Sequence, residues 1–311
     1  MNISEIPLRD TFGDLIVQLG YKYKDIVVLD ADLSSSTRTN KFSKEFPDRF
    51  FNMGIAEQNM VGTSIGLAIS GKTPIVSGFS IFTTGRAWEF IRLASHDNLN
   101  IKFITTHSGF VGEDGSTHNA LEDLSLMSTL PNMTVLVPSD NIELKSMLKT
   151  IFKQKGPVYM RLPRGNLINV HNNPYKFEFS KVDVVRKGND IGLISCGYGV
   201  GFSMRNVEKL EEKYNISIKI INIPTIKPLD SQSLLEKVQN LKGLIVIEEH
   251  NIYCGFGSII SRIISTEIPI KMKFIGIENS FGESGKREKI LEEYGFNFHN
   301  LSEKIVELLS Y

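Results

Sequence analysis

Phe51-Asn52-Met53-Gly54-Ile55-Ala56-Glu57-Gln58-Asn59 sets one carboxylate between small and apolar residues, with Gly62 and Gly66 to follow. Residues 60–69 alternate small and apolar side chains. That pattern predicts a helix packed closely on nearly every side, with Glu57 in its first turn and partly buried. Burial without a cationic partner disfavours a carboxylate and raises its pKa, which suits a group that holds and hands over a proton near neutrality. The plainer reading is a glutamate that caps backbone amides at a helix N-terminus, and from this window alone it is the stronger of the two.

Working outward, the apolar run at residues 26–29 reads as a short buried parallel strand ending in Asp30-Ala31-Asp32. Residues 10–19 before it have helical spacing, and residues 34–39 after it read as a polar loop. Beyond the opening stretch come a strand at 73–76, a helix at 86–94 and a strand at 101–105. Residues 107–118, from His107 to His118, carry too many glycines and polar groups for a regular element. They form a loop beyond the carboxyl end of a strand, where ligands sit in open α/β sheets. A helix at 121–127, a strand at 134–137, a helix at 142–152 and a strand at 158–161 complete this series. A second one has strands at 191–195, 216–221, 244–248 and 272–276 and helices at 204–214, 231–239 and 257–264, with further helices near Lys286 and Leu301. Strands alternating with helices predict an α/β fold of two parallel-sheet domains covered on both faces. The expected domains are residues 1–168 and a smaller unit at 188–311, joined by a linker at 169–187.

A chain of 311 residues is long enough for two such domains, each with its own core. Its 35 basic and 35 acidic side chains cancel. No basic run interleaved with aromatics occurs, so charge points to neither nucleic acid nor an anionic membrane. The expected partner is a small molecule or another protein. The start, Met1-Asn2-Ile3-Ser4-Glu5-Ile6, has an acid where a secretion signal has basic residues, and no apolar run is long enough to span a bilayer. Cys196 and Cys254, far apart, fit a reducing, cytoplasmic compartment.

Several motifs suggest chemistry. Gly197-Tyr198-Gly199-Val200-Gly201 resembles a dinucleotide fingerprint, but its third spacing is wrong and no acid clearly ends the next strand, which favours a plain strand-to-helix turn. Gly282-Glu283-Ser284-Gly285-Lys286 lacks the first glycine of a phosphate loop, and Arg287 replaces its Ser or Thr. Asp30-Ala31-Asp32 looks like the nucleophile motif of haloacid-dehalogenase-type phosphatases, a rival reading that lacks a clear downstream acidic pair. His250 and Cys254 have a spacing compatible with metal ligation, yet nothing else with ligand character clusters there, so a satisfied histidine is favoured. His96 and His299 carry no signal. The loop at 107–118 differs, because two histidines and two acids share one glycine-rich segment that can bind phosphate or transfer protons.

Four motifs in order carry a resemblance: Gly54-Ile55-Ala56-Glu57-Gln58-Asn59; Phe79-Ser80-Ile81-Phe82; Thr106-His107-Ser108 with Gly112-Glu113-Asp114-Gly115-Ser116-Thr117-His118; and Arg161-Leu162-Pro163-Arg164-Gly165-Asn166. Together they resemble the pyrimidine-binding domain of the thiamine-diphosphate enzyme transketolase, and residues from about 188 on resemble its C-terminal domain. The Gly-Asp-Gly of the family's diphosphate-binding domain is absent. The resemblance therefore implies the C-terminal subunit of a split transketolase, in α2β2 association with an N-terminal subunit that holds the diphosphate and Mg2+. It implies no metal ligand in this chain.

By the same resemblance, Glu57 hydrogen-bonds N1′ of the aminopyrimidine and gives it the proton that favours the imino form, which in turn takes the C2 proton. Phe79 and Phe82 line the pyrimidine pocket. The family often has a third aromatic a turn later, where Gly85 stands, so that wall is open or filled by a neighbour. Asp32 matches an acid near the cofactor. Asp114 and His118 match groups at the substrate hydroxyls, and Arg9, Ser36, His107 and Arg164 match the sugar-phosphate site. His107 is counted with Glu57, Asp114 and His118 as catalytic. The alternatives are a β-subunit of a 2-oxo-acid dehydrogenase, a deoxyxylulose-phosphate-synthase-like component, and a noncatalytic regulatory copy. Thr106-His107-Ser108 favours transketolase over the synthases.

Overall fold

A computed structural model describes residues 6–310. Its strands in chain order are β1 (Ile26–Asp30), β2 (Phe50–Asn52), β3 (Thr73–Ser77), β4 (Lys102–Ser108), β5 (Thr134–Leu136), β6 (Val158–Pro163), β7 (Asp183–Arg186), β8 (Ile191–Ser195), β9 (Ile218–Asn222), β10 (Thr225–Lys227), β11 (Gly243–Asn251) and β12 (Met272–Ile277). One sheet runs β10-β5-β6-β4-β3-β1-β2 and the other β12-β11-β8-β9-β7. The pairings are parallel except for β10 on β5 and β7 on β9. The expected α/β fold with two mostly parallel sheets is the one that forms.

Side chains that alternate along a strand point to opposite faces, so each apolar run feeds two layers. Ile26, Val28, Ile75 and Ile104 face one side of the first sheet, where the helices Leu8–Lys22 and Asn141–Ile151 cover them with Phe12, Ile16, Leu144 and Met147. Val27, Leu29, Val76 and Phe103 face the other side. There the two units also share a core, beside the cluster that each keeps for itself. One apolar cluster continues from these residues through Ile223 and Ile226 to Ile194 and Val246 of the second sheet.

Two short strands cross the expected boundaries. β7 lies inside the expected linker and pairs with β9, placing Val184 opposite Ile221. β10 leaves the second half of the chain to pair with β5, Thr225 opposite Leu136, and it closes one edge of the first sheet. Segments of four and three residues are too short to show a period of two.

The rest of the 169–187 stretch is pinned by charge. His171 places Nδ1 3.0 Å from Asp140 Oδ2 and Nε2 2.7 Å from Asp183 Oδ2. Burial alone would lower the histidine's pKa, but these hydrogen bonds and the neighbouring carboxylates raise it to about 10. The ring is thus an imidazolium held between acids. Among the described residues, Glu143, His171 and Asp183 form the one trio spaced for a metal ion. Glu143 is already occupied by hydrogen bonds from Tyr175, Asn222 and Ser139.

Two local expectations are corrected and one is met. Residues 34–39 hold a short helix, Ser34–Thr37, rather than a loop throughout. The helix Glu57–Ile69 buries Met60, Val61 and Ser64 but is not packed on nearly every side: Ile69 is 69% exposed, and a Cβ at Gly66 would meet nothing within 4 Å. Gly199 serves close packing, since a Cβ there would stand 1.9 Å from Ser195 Oγ. That agrees with a plain strand-to-helix turn.

Candidate active site

Strands β1, β3, β4 and β6 end on the same side of a parallel sheet, the side on which α/β sheets hold ligands. Asp32, Phe79, His107 and Arg164 lie at or just beyond those four ends. Two helix starts complete the set, Arg9 on Leu8–Lys22 and Glu57 on Glu57–Ile69.

Glu57 is only 3% exposed, but it has a cationic partner, which corrects the sequence expectation. Arg86 Nη1 lies 3.2 and 3.1 Å from its two carboxylate oxygens. The Arg86 guanidinium also lies over the Phe82 ring, 4.3 Å from its centroid. Arg86 closes the helix Ser80–Arg86 and is half exposed. The signal that could have found it was spacing, because Phe82 and Arg86, four residues apart, fall on one helical face.

The rings of Phe79 and Phe82 are 6.1 Å apart and inclined by 19°. His118 meets both edge-on, at 6.2 Å from Phe79 and 5.1 Å from Phe82. At Gly85, where the family's third aromatic would stand, a Cβ would find nothing within 4 Å, so that wall is open.

His107 stacks on Phe79 at 3.8 Å and is held in the left-handed region, at φ 58°. Arg9 Nη1 lies 3.3 Å from His107 Nε2. Arginine can only donate, so Nε2 accepts, and the hydrogen sits on Nδ1, which donates to Thr106 Oγ1 at 2.8 Å. Burial, helped by the charges of Arg9 and Arg164, pushes the His107 pKa down to about 3. The ring is therefore neutral and aims Arg9 rather than adding charge of its own. Arg9 also donates to the backbone oxygen of Ser36 at 3.3 Å, not to its hydroxyl. Burial lowers the Arg9 pKa, and its buried Nε has no partner among the described residues.

Arg164 pairs with Asp114 and donates to Val111 O at 2.7 Å. It faces Arg9, Gly112 and Arg287 across a cleft of about 330 Å³. Asp32 stands apart, at φ 62°, accepting from Asn52 Nδ2 at 3.1 Å. Behind it Asp30 is fully buried, and it accepts from Leu33 N at 2.6 Å and from the Thr37 and Thr39 hydroxyls at 2.8 and 2.9 Å. A carboxylate so enclosed cannot attack phosphorus, which removes the phosphatase reading. His250 is likewise buried, accepting from Leu124 N at 3.2 Å through Nε2.

Contacts thus join Glu57, Arg86, Phe82, Phe79, His118, His107, Arg9 and the Ser36 backbone into one wall, beside the Asp114–Arg164 pair. A buried carboxylate next to an aromatic ring with open space at Gly85 fits a flat heterocycle that offers a hydrogen-bonding edge.

Comparison with known proteins agrees. The family model for the transketolase pyrimidine-binding domain matches residues 4–169, and that for the transketolase C-terminal domain matches residues 180–301. A transketolase C-terminal section from Methanocaldococcus jannaschii is 41% identical over 96% of this chain and 95% of its own length. A 6-deoxy-6-sulfo-D-fructose transketolase subunit of Clostridium sp. is 30% identical over 95% of this chain and 92% of its own. A split-gene transketolase solved as an inactive beta4 tetramer superposes with a TM-score of 0.90 at 37% identity, covering 98% of this chain and 99% of that one. This chain belongs to the transketolase family of transferases.

Proposed function

We propose that the chain is the pyrimidine-binding subunit of a two-chain, cytoplasmic transketolase. In this reading thiamine diphosphate lies between it and an N-terminal subunit that holds the diphosphate and Mg2+, in an α2β2 assembly. The reaction moves a two-carbon ketol unit from a ketose phosphate to an aldose or its phosphate. The observation that carries the reading is the buried Glu57 carboxylate, joined through Arg86 to Phe82, with open space at Gly85.

When bound, the cofactor supplies the carbanion chemistry that breaks and forms the carbon–carbon bond. Glu57 holds a proton at ring nitrogen N1′, once Arg86 has given up its place on the carboxylate. Phe79 and Phe82 offer the flat apolar wall on which a heterocycle stacks. Asp114 and His118 meet substrate hydroxyls and move protons. Arg9, aimed by neutral His107 and the Ser36 carbonyl, and Arg164 supply the positive charge for the phosphate. Asp32 would be an acid near the cofactor.

A surface next to Glu57 supports the second subunit. Ile55 is 77% and Ile69 69% exposed, and Gly66 leaves the helix face between them open. Small and apolar residues on an uncovered helix face suit burial against another chain.

The test is co-expression with an N-terminal subunit bearing Gly-Asp-Gly, followed by ketol transfer assays. Wild-type assemblies should transfer. Glu57→Gln should assemble normally yet lose proton exchange at the cofactor's C2, followed by NMR. The isolated chain should bind thiamine diphosphate weakly in calorimetry. Tight Mg2+-dependent binding by this chain alone would refute the shared site.

A further inference from the structure

We infer that Glu249 and Arg287, both outside the first domain, are positioning residues for the substrate loop at 109–118. This rests on the proposed function for its link to phosphate binding, while the loop geometry stands independently.

Glu249 lies on β11, in the second sheet, and Arg287 opens the helix Arg287–Glu293. Both are buried. Arg287 Nη2 donates to Glu249 Oε1 and Oε2 at 2.7 and 2.8 Å. The same pair grips the backbone of one loop residue, Phe110, through the two peptide units that flank its Cα. Phe110 N donates to Glu249 Oε1 at 2.9 Å, and Arg287 Nε donates to Phe110 O at 2.8 Å. The loop runs directly over the carboxylate, because a Cβ at Gly109 would stand 2.4 Å from Glu249 Cδ. With φ at +70°, Gly109 takes a conformation that other residues rarely adopt.

The grip is anchored from below. Arg161 Nη2 donates to Glu249 O at 2.9 Å and to Ala120 O at 3.0 Å. Ala120 closes the far end of the loop through paired backbone hydrogen bonds with Gly109, at 3.0 and 3.1 Å. More contacts from the second domain reach the loop: Asn119 Nδ2 donates to Phe281 O at 2.9 Å, and Ser284 Oγ to Glu113 O at 2.8 Å.

The consequence lies one residue further on. Val111 O, adjoining the gripped peptide, accepts from Arg164 Nη1, and Arg164 pairs with Asp114 on the same loop. Arg287 also packs against the other side of Arg164's segment, since a Cβ at Gly165 would stand 3.0 Å from Arg287 Nη1. The Glu249–Arg287 pair therefore sets the Phe110 backbone, that backbone sets the Val111 carbonyl, and the carbonyl aims the guanidinium that meets the phosphate. Planar and forked, Arg287 serves both the carboxylate and the carbonyl, a geometry that a lysine cannot reproduce.

The experiment compares Arg287→Lys and Glu249→Gln with wild type, so that a folding failure in one leaves the other. Amide exchange of residues 109–118 in the full chain should rise in both variants. In the assembled enzyme, KM for a ketose phosphate should rise about tenfold while kcat stays within about twofold, with a smaller change for the unphosphorylated ketose. Added to Arg164→Ala, neither substitution should change KM by more than about twofold, because the effect travels through Arg164. Unchanged exchange in the loop, equal KM changes for both ketoses, or full additivity with Arg164→Ala would each overturn the inference. A wild-type assembly without ketol transfer would count against the functional reading alone, since amide exchange reads the loop without activity.

Discussion

Arg86 presents a flat, N–H-donating group to the carboxylate and the aromatic ring that an aminopyrimidine would use. In the proposed reading cofactor binding displaces it, and Arg86→Met should then bind thiamine diphosphate more tightly in the assembled enzyme. Because Arg86 is half exposed, the pair contributes modestly. The expected gain is on the order of threefold to tenfold in Kd, from an ion pair worth about 1 kcal/mol. Titration by calorimetry checks it, and an unchanged Kd would mean that the guanidinium yields its place at no cost. Glu57 and the two phenylalanines were legible because each sits in a short ordered motif. Arg86 was not, since its meaning comes only from the helix turn that brings it over Phe82. His107 shows the opposite limit: its motif was visible, but its neutral state depends on burial and on arginines distant in sequence.

At the scale of elements, the strand-and-helix alternation was readable because parallel strands are continuous apolar runs. Residues 169–187 were harder, since they are held by ions rather than by an apolar period. His171 has a folded-state pKa of about 10 against an ordinary 6.5. Its ion pairs therefore stabilise the fold fully below pH 6.5 and fade as pH climbs through 10. Wild type should exceed His171→Gln by roughly 2–3 kcal/mol near neutrality, less than the bare shift implies because Asp183 is partly exposed. The gap should close toward pH 10, measured by urea unfolding of both proteins; a gap independent of pH would contradict the assignment. Comparing the two proteins matters because Lys102 works in the opposite sense. Burial pushes its pKa down to about 7, so its cost to stability declines as pH rises from there toward 10.5.

At the scale of the molecule, two α/β series were legible, but their mutual dependence was not. Three residues of β10 and a shared apolar cluster tie the halves together, and neither leaves a mark on local sequence pattern. A fragment of residues 1–180 should lack a cooperative thermal transition and should self-associate, because the β5 edge is left bare and the cluster is opened. Circular dichroism melts and sedimentation would measure both, and a monomeric, cooperative fragment would show that the second half is dispensable. The pairing of Thr225 with Leu136 also carries a consequence in time. A growing chain cannot close its first sheet until residue 227 has been synthesised, long after every strand that carries a site residue. Until then, the nascent protein shows the cell an open strand edge, and Glu249 and Arg287, which hold the 109–118 loop, are synthesised later still.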